Sequence, residues 1–123
     1  LHQSPYQQEM IAEINQHFSP DIIVLDGIDA FIDGGPAIGK LAKGNIFLAS
    51  SDRVAIDAVG VAVLKTIGSN EAIMQRKIFD QRQIARAVEL DIGVSSPSEI
   101  EIISADQESM VFRDKVAQIL LSG

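Results

Sequence analysis

At 123 residues the chain is the size of one ordinary domain, and one α/β domain over residues 1–123 is expected. Apolar residues make up 46% and aromatics 5%, with no tryptophan, so the core must be isoleucine, valine, leucine and alanine. The formal charge of −7 repels a phosphate backbone, so no nucleic-acid partner is expected, and the lack of cysteine excludes disulfides and thiolate ligands within this stretch.

The first residues, LHQSPYQQ, carry neither the basic nor the apolar region of a signal peptide and no initiator methionine. A piece of a longer chain, located in the cytoplasm, is the expectation. Tyr6, Met10, Ile11, Ile14 and Phe18 recur at helical spacing, with Ser4 and Pro5 as start signals and Pro20 as the stop, which predicts a helix over 5–18. Residues 22–25, Ile-Ile-Val-Leu, are an unbroken β-favouring run, the pattern of a strand covered on both faces in a mostly parallel sheet. Ile28, Ala30 and Ile32 alternate beyond it, a pattern that allows the strand to continue before a glycine-rich loop begins; the next strand is predicted at 46–49.

Ser50, Ser51 and Asp52 are alternative caps for a helix running to Ile67, where Gly68 stops it. That helix is apolar almost all round, the mark of the most buried helix of a domain, and its only acidic residue is Asp57. The apolar run at 54–64 is interrupted by Asp57 and too short for a membrane span, so no membrane partner is expected. A polar helix over 71–79, an amphipathic one marked by Ile84, Ala85, Val88 and Ile92, a strand at 100–103 and a final helix carrying Phe112, Val116, Ile119 and Leu120 complete the chain. The predicted fold is therefore α/β, a small mostly parallel or mixed sheet flanked by helices. Open sheet edges would favour a homo-oligomer.

Residues 22–57 hold Asp26, Asp29, Asp33 and Asp57 together with five of the nine glycines, which makes this stretch the candidate site. Asp26 follows a buried strand and precedes Gly27, where open α/β sheets bind ligands; the structural alternative is a turn aspartate satisfying backbone amides. Asp57 lies in an apolar helix and needs a partner. Arg53, four residues earlier, offers an ion pair; alternatively Asp57 is an acid–base group or metal ligand, with Arg53 orienting it or holding an anionic substrate.

Gly35, Pro36, Gly39 and Lys40 lie in a loop whose amides could hold a small anion, although Leu41 stands where a Walker loop needs Ser or Thr and the GxGxxG fingerprint is missing. Lys40 and Lys43 suit a small anion better than a duplex; otherwise they are solvated surface. Asp26, Asp29 and Asp33 could supply oxygens to a divalent metal, but EF-hand spacing is lacking. Neither His2 nor His17 has a local metal-ligand partner, and Ser50 and Ser51 read as capping residues, with no nucleophile elbow around them.

The segment PDIIVLDGIDAFIDGGPAIGK, followed by NIFLASSDRVAIDAVG, resembles the family catalogued as domain of unknown function 362. The matching residues are Pro20, Asp21, Asp26, Gly27, Gly35, Pro36, Gly39, Ser50, Asp52, Val54, Ala55 and Asp57; His2 and the Ile-Glu-Ile-Ile stretch at 100–103 extend the likeness. The resemblance implies the C-terminal part of a larger α/β domain from an iron–sulfur-associated protein, with the cluster held by parts outside this chain. The resemblance covers Asp26 and Asp57 of the catalytic candidates and Gly27, Gly35, Pro36, Gly39, Ser50 and Asp52 of the ligand-binding ones; Arg53, as third catalytic candidate, and Lys40, as a further ligand-binding one, rest on their own positions beside Asp57 and in the glycine-rich loop. Asp26 and Asp57 are also the candidates for a divalent metal. Two readings follow: an enzyme fragment with a ligand or metal site, binding a small anionic molecule, or a non-catalytic scaffold module that contacts a partner domain and uses Arg53 and Asp57 as a structural pair.

Overall fold

A computed structural model describes residues 4–34 and 39–123. His2, Gly35 and Pro36 lie outside the described residues. The order is α1 (Gln7–Ile14), β1 (Ile23–Gly34), β2 (Gly39–Ser50), α2 (Arg53–Ile67), α3 (Glu71–Gln75), α4 (Arg82–Glu89) and α5 (Met110–Ser122), with short 3-10 turns at Asn15–His17, Ile78–Asp80 and Pro97–Glu99. The α/β class holds. The mostly parallel sheet does not: among the described residues the strands β1 and β2 pair antiparallel as a single two-stranded sheet.

The hairpin also replaces most of the expected glycine-rich loop. Its ladder runs from Ile23 opposite Ser50 to Gly34 opposite Gly39, and Lys40 lies opposite Asp33. Glycine does not end these strands because it serves a close approach between them. The register slips between Gly27 and Asp29, and Asn45 adopts a positive φ of 54° nearby, both signs of a β-bulge. A Cβ on Gly44 would come 2.2 Å from the Gly27 carbonyl oxygen, so only glycine fits there.

One helix organises the core. Val54, Ile56, Ala58, Val59, Ala62 and Val63 of α2 are all buried, and Ala58 and Ala62 are sealed completely. Asp52 caps α2 through Ala55 N–H at 2.8 Å, and Gly68, at φ 93°, ends it. On one side α2 packs against α5, whose Val116 and Leu120 are buried; on another it carries the hairpin through Ile46 and Leu48. Ile78 and Ile84 are the bulkiest fully buried side chains and close the core from below α2. Outside it, α1 packs on α4, where Arg82 grips Glu9 through two hydrogen bonds and Arg86 reaches Glu13.

The helix predicted from residue 5 starts at Gln7, because Ser4 uses its hydroxyl to accept from Tyr6 N–H at 3.1 Å instead of capping the first turn. The strand predicted at 100–103 has no ladder partner among the described residues, although its side chains alternate as a strand's would.

Candidate functional site

The start of β1, the end of α1, the first turns of α2 and one face of α4 enclose a cleft of about 560 Å³. Its walls are mainly apolar, with Phe18, Leu25 and Ile84 among them, and its polar side chains are few: Asn15, Arg53, Asp57 and Gln83. Sparse polar groups within an apolar wall are the usual make-up of a small-molecule site.

Asp57 is half-buried on the hairpin-facing side of α2. Its Oδ2 accepts a hydrogen bond from Gln83 Nε2 at 3.0 Å, and among the described residues no protein donor serves Oδ1. Burial pushes its carboxyl above the ordinary aspartate range, and the Gln83 bond pulls partly against that shift. Arg53, one turn earlier, points its Nη1 at two main-chain carbonyls, Asn15 O and Phe18 O, the latter at 2.6 Å. Its guanidinium also lies 5.7 Å from the centre of the Phe18 ring, within cation–π reach.

The expected ion pair between Arg53 and Asp57 is therefore absent among the described residues. The reason is local. The carbonyls where α1 ends need donors, and a guanidinium supplies them directionally while its charge suits the negative end of a helix. A carboxyl that burial drives toward neutrality is served by a neutral carboxamide. Among the described residues Nε and Nη2 of Arg53 donate to no protein acceptor and face the cleft wall as free donors.

A second cavity, about 300 Å³, lies further along the hairpin and is lined by Asp26, Gly27, Asp29 and Asp57. Asp57 and Leu25 line both cavities. The structure thus divides the three catalytic candidates: Arg53 shares one hollow with Asp57, and Asp26 shares the other. Asp26 is exposed and turns Oδ1 back to Ile28 N–H at 3.0 Å, the self-satisfying turn geometry. Asp29 pairs with Lys43 across the strands at 2.8 Å. No group of three or more histidine, cysteine, aspartate or glutamate side chains converges on a metal position among the described residues.

The remaining ligand-binding candidates have other surroundings. Gly27 is buried, and a Cβ there would meet Ile46 Cγ1 at 2.7 Å, so its smallness makes room for the Ile46 side chain of the facing strand. Gly39 and Lys40 open β2. Ser50 Oγ accepts from Asp52 N–H at 3.0 Å, while the two oxygens of Asp52 accept from Ala55 N–H and, at 3.1 Å, from Val94 N–H. Ser50 and Asp52 line a different hollow, on the far side of α2 from Arg53. They join strand, helix and loop.

Gln83 was missed in the sequence. The available signal is its place beside Ile84 and one turn before Ala87, a polar residue on the inward face of an amphipathic helix. No helix among the described residues is long and apolar enough to cross a membrane.

A family model described as Domain of unknown function (DUF362) matches residues 1–62, half of the chain. Neither a curated protein nor a solved structure matches it. The matched stretch contains Asp26, Arg53 and Asp57 and stops short of Gln83.

Proposed function

The chain belongs to the domain of unknown function 362 family, and from that premise we propose that the 560 Å³ cleft binds a small organic anion with an apolar body. The observation that carries the proposal is Asp57 itself, a half-buried carboxyl in an apolar wall with one neutral partner and one unserved oxygen. Keeping a carboxyl there costs stability, which is the pattern of a group retained for chemistry. In this reading Nε and Nη2 of Arg53 hold the ligand's anionic group, Asp57 Oδ1 accepts a hydroxyl or amine proton, and Phe18 and Ile84 cover the apolar part. Asp57 with its raised carboxyl is then positioned as an acid–base group.

An iron–sulfur cluster does not fit the donors of this chain, which has no cysteine to supply thiolates. Asp26 and Asp57, on the smaller cavity, would leave a divalent cation dependent on water for most of its shell, so an organic ligand suits the residues better.

Branched-chain 2-hydroxy acids are the natural probes, since they combine a carboxylate, a hydroxyl and a compact alkyl group. Thermal unfolding should rise with added 2-hydroxy-4-methylpentanoate, by the equivalent of about 2.7 kcal/mol at a hundredfold excess over Kd. Asp57→Asn and Arg53→Lys should each weaken that response, and Asp26→Asn should leave it intact. Equal responses from all four proteins, or none from the wild type across this class of acids, would sink the reading. A second reading, a non-catalytic module, draws support from the apolar residues that the hairpin leaves exposed, Ile22, Val24 and Phe47.

A further inference from the structure

On the far side of the hairpin from the anion cleft, two lengths of main chain line one trough with hydrogen-bonding groups left unused among the described residues, save the Ile100 N–H, which donates to Pro97 O. One is the outer edge of β2, whose only ladder partner among the described residues is β1. The other is residues 100–104. Ile100 has extended backbone angles, φ −108° and ψ 125°, and the side chains then alternate: Ile100 and Ile102 pack on the core, while Glu101 and Ile103 point away, Ile103 being 79% exposed. Period-two alternation is the mark of a β-strand. Yet among the described residues the main chain of 101–104 makes no hydrogen bond.

Two adjoining cavities, about 310 and 530 Å³, run between these walls. Phe47, Leu48 and Ala49 line both on one side, Ile102 and Ile103 on the other, and Val59 of α2 forms a shared floor. An unpaired edge on each side of an apolar trough is the arrangement a third, central strand would complete.

We propose that this trough is a docking slot for one extended β-strand of a partner polypeptide, hydrogen-bonded to β2 on one side and to residues 100–104 on the other. The guest's inward residues would lie between Leu48 and Ile102 over Val59, and its outward residues between Phe47 and Ile103. Each row has an apolar centre, Leu48 with Ile102 inward and Phe47 with Ile103 outward, so the guest is a β-branched run and not an alternating amphipathic one. Charge selects further. Glu101 is exposed without a partner among the described residues, and Glu99 and Asp106 stand toward the two ends. Arg113, the basic residue on the wall, is already engaged by Asp114 at 2.8 Å. The rim is therefore negative, and the guest carries lysine or arginine beside its apolar run. A second copy of this chain, at −7, is disfavoured by the same charge.

The test is the 123-residue chain titrated with an acetylated, amidated Lys-Val-Ile-Val-Thr-Val-Lys peptide, read by affinity and amide hydrogen exchange. The expected result is saturable binding with slowed exchange in both 45–50 and 100–104. A peptide with proline for the central valine, and one with glutamate for both lysines, should bind at least tenfold more weakly; Glu101→Lys should narrow the gap between the lysine and glutamate peptides. The proposal is overturned by protection confined to the β1 edge, by equal binding of the proline peptide, by no binding at millimolar peptide, or by concentration-dependent protection of both walls without peptide, which would make a second copy the occupant.

Discussion

Asp57 sits in the apolar helix α2 with a single hydrogen-bond donor among the described residues, Gln83 of α4, and burial holds its carboxyl above the ordinary range. A carboxylate among Val54, Ile56, Ala58 and Val59 announces that it needs a partner, but the sequence offers Arg53 one turn away and gives little hint of Gln83, 26 positions later. Its titration supplies a measurable consequence. Burial raises the folded-state value above 3.8, whereas the unfolded chain keeps an ordinary aspartate. Below about pH 4 both states hold the proton and no penalty exists. As pH rises, the unfolded state ionises first and is favoured, so stability is lost until the folded-state value is passed. Asp57→Asn keeps an acceptor for Gln83 and cannot ionise. Its unfolding midpoint relative to wild type should therefore climb between pH 4 and pH 7; a difference independent of pH would show that the carboxyl is not penalised by burial.

Among the elements, α2 was almost fully legible: an unbroken apolar helix bounded by a capping cluster and Gly68, seen at Arg53–Ile67. The hairpin was not. Gly34, Gly35, Gly39 and Gly44 read as loop because glycine weakens strands in general, whereas here Gly44 is required by the approach of the Gly27 carbonyl. Residues 100–103 erred the other way, since alternation reports which side chains face the core and is silent about whether a neighbouring main chain exists to form a ladder. Three candidates for the cap of α2 were equal by residue type, and the distant Val94 amide distinguishes them, because only Asp52 has a second oxygen to serve it. Asp52→Ala should thus cost about 1–3 kcal/mol, the loss of an N-cap plus an amide left without its acceptor. Asp52→Ser should recover the cap and not the tie to Val94, so urea unfolding of the three proteins should rank wild type, serine, alanine. Indistinguishable serine and alanine variants would mean that the side chain does not cap α2.

At the scale of the whole molecule two tendencies oppose each other. The hairpin and its surroundings leave Ile22, Val24, Phe47 and Ile103 each more than 60% exposed, together with two strand edges unpaired among the described residues, a combination that favours association. The charge of −7 resists it, and the acidic residues near the trough place part of that resistance beside the apolar surface. Composition made the charge plain. It could not disclose the exposed face, because Ile22 and Val24 belong to the same continuous apolar run as Ile23 and Leu25, and such a run reads as covered on both sides. If repulsion is what keeps the apolar surfaces apart, association should follow net charge. Lowering the pH from 7 toward the isoelectric point near 4.6 should raise the mean mass in sedimentation velocity at fixed protein concentration. Replacing Phe47 and Val24 with threonine should suppress that rise, since both residues lie on the exposed face and threonine keeps the β preference of the strands. Association that persists unchanged in the double variant would place the adhesive surface elsewhere on the molecule. A mass that stays constant across the whole range would show that charge is not what holds these copies apart.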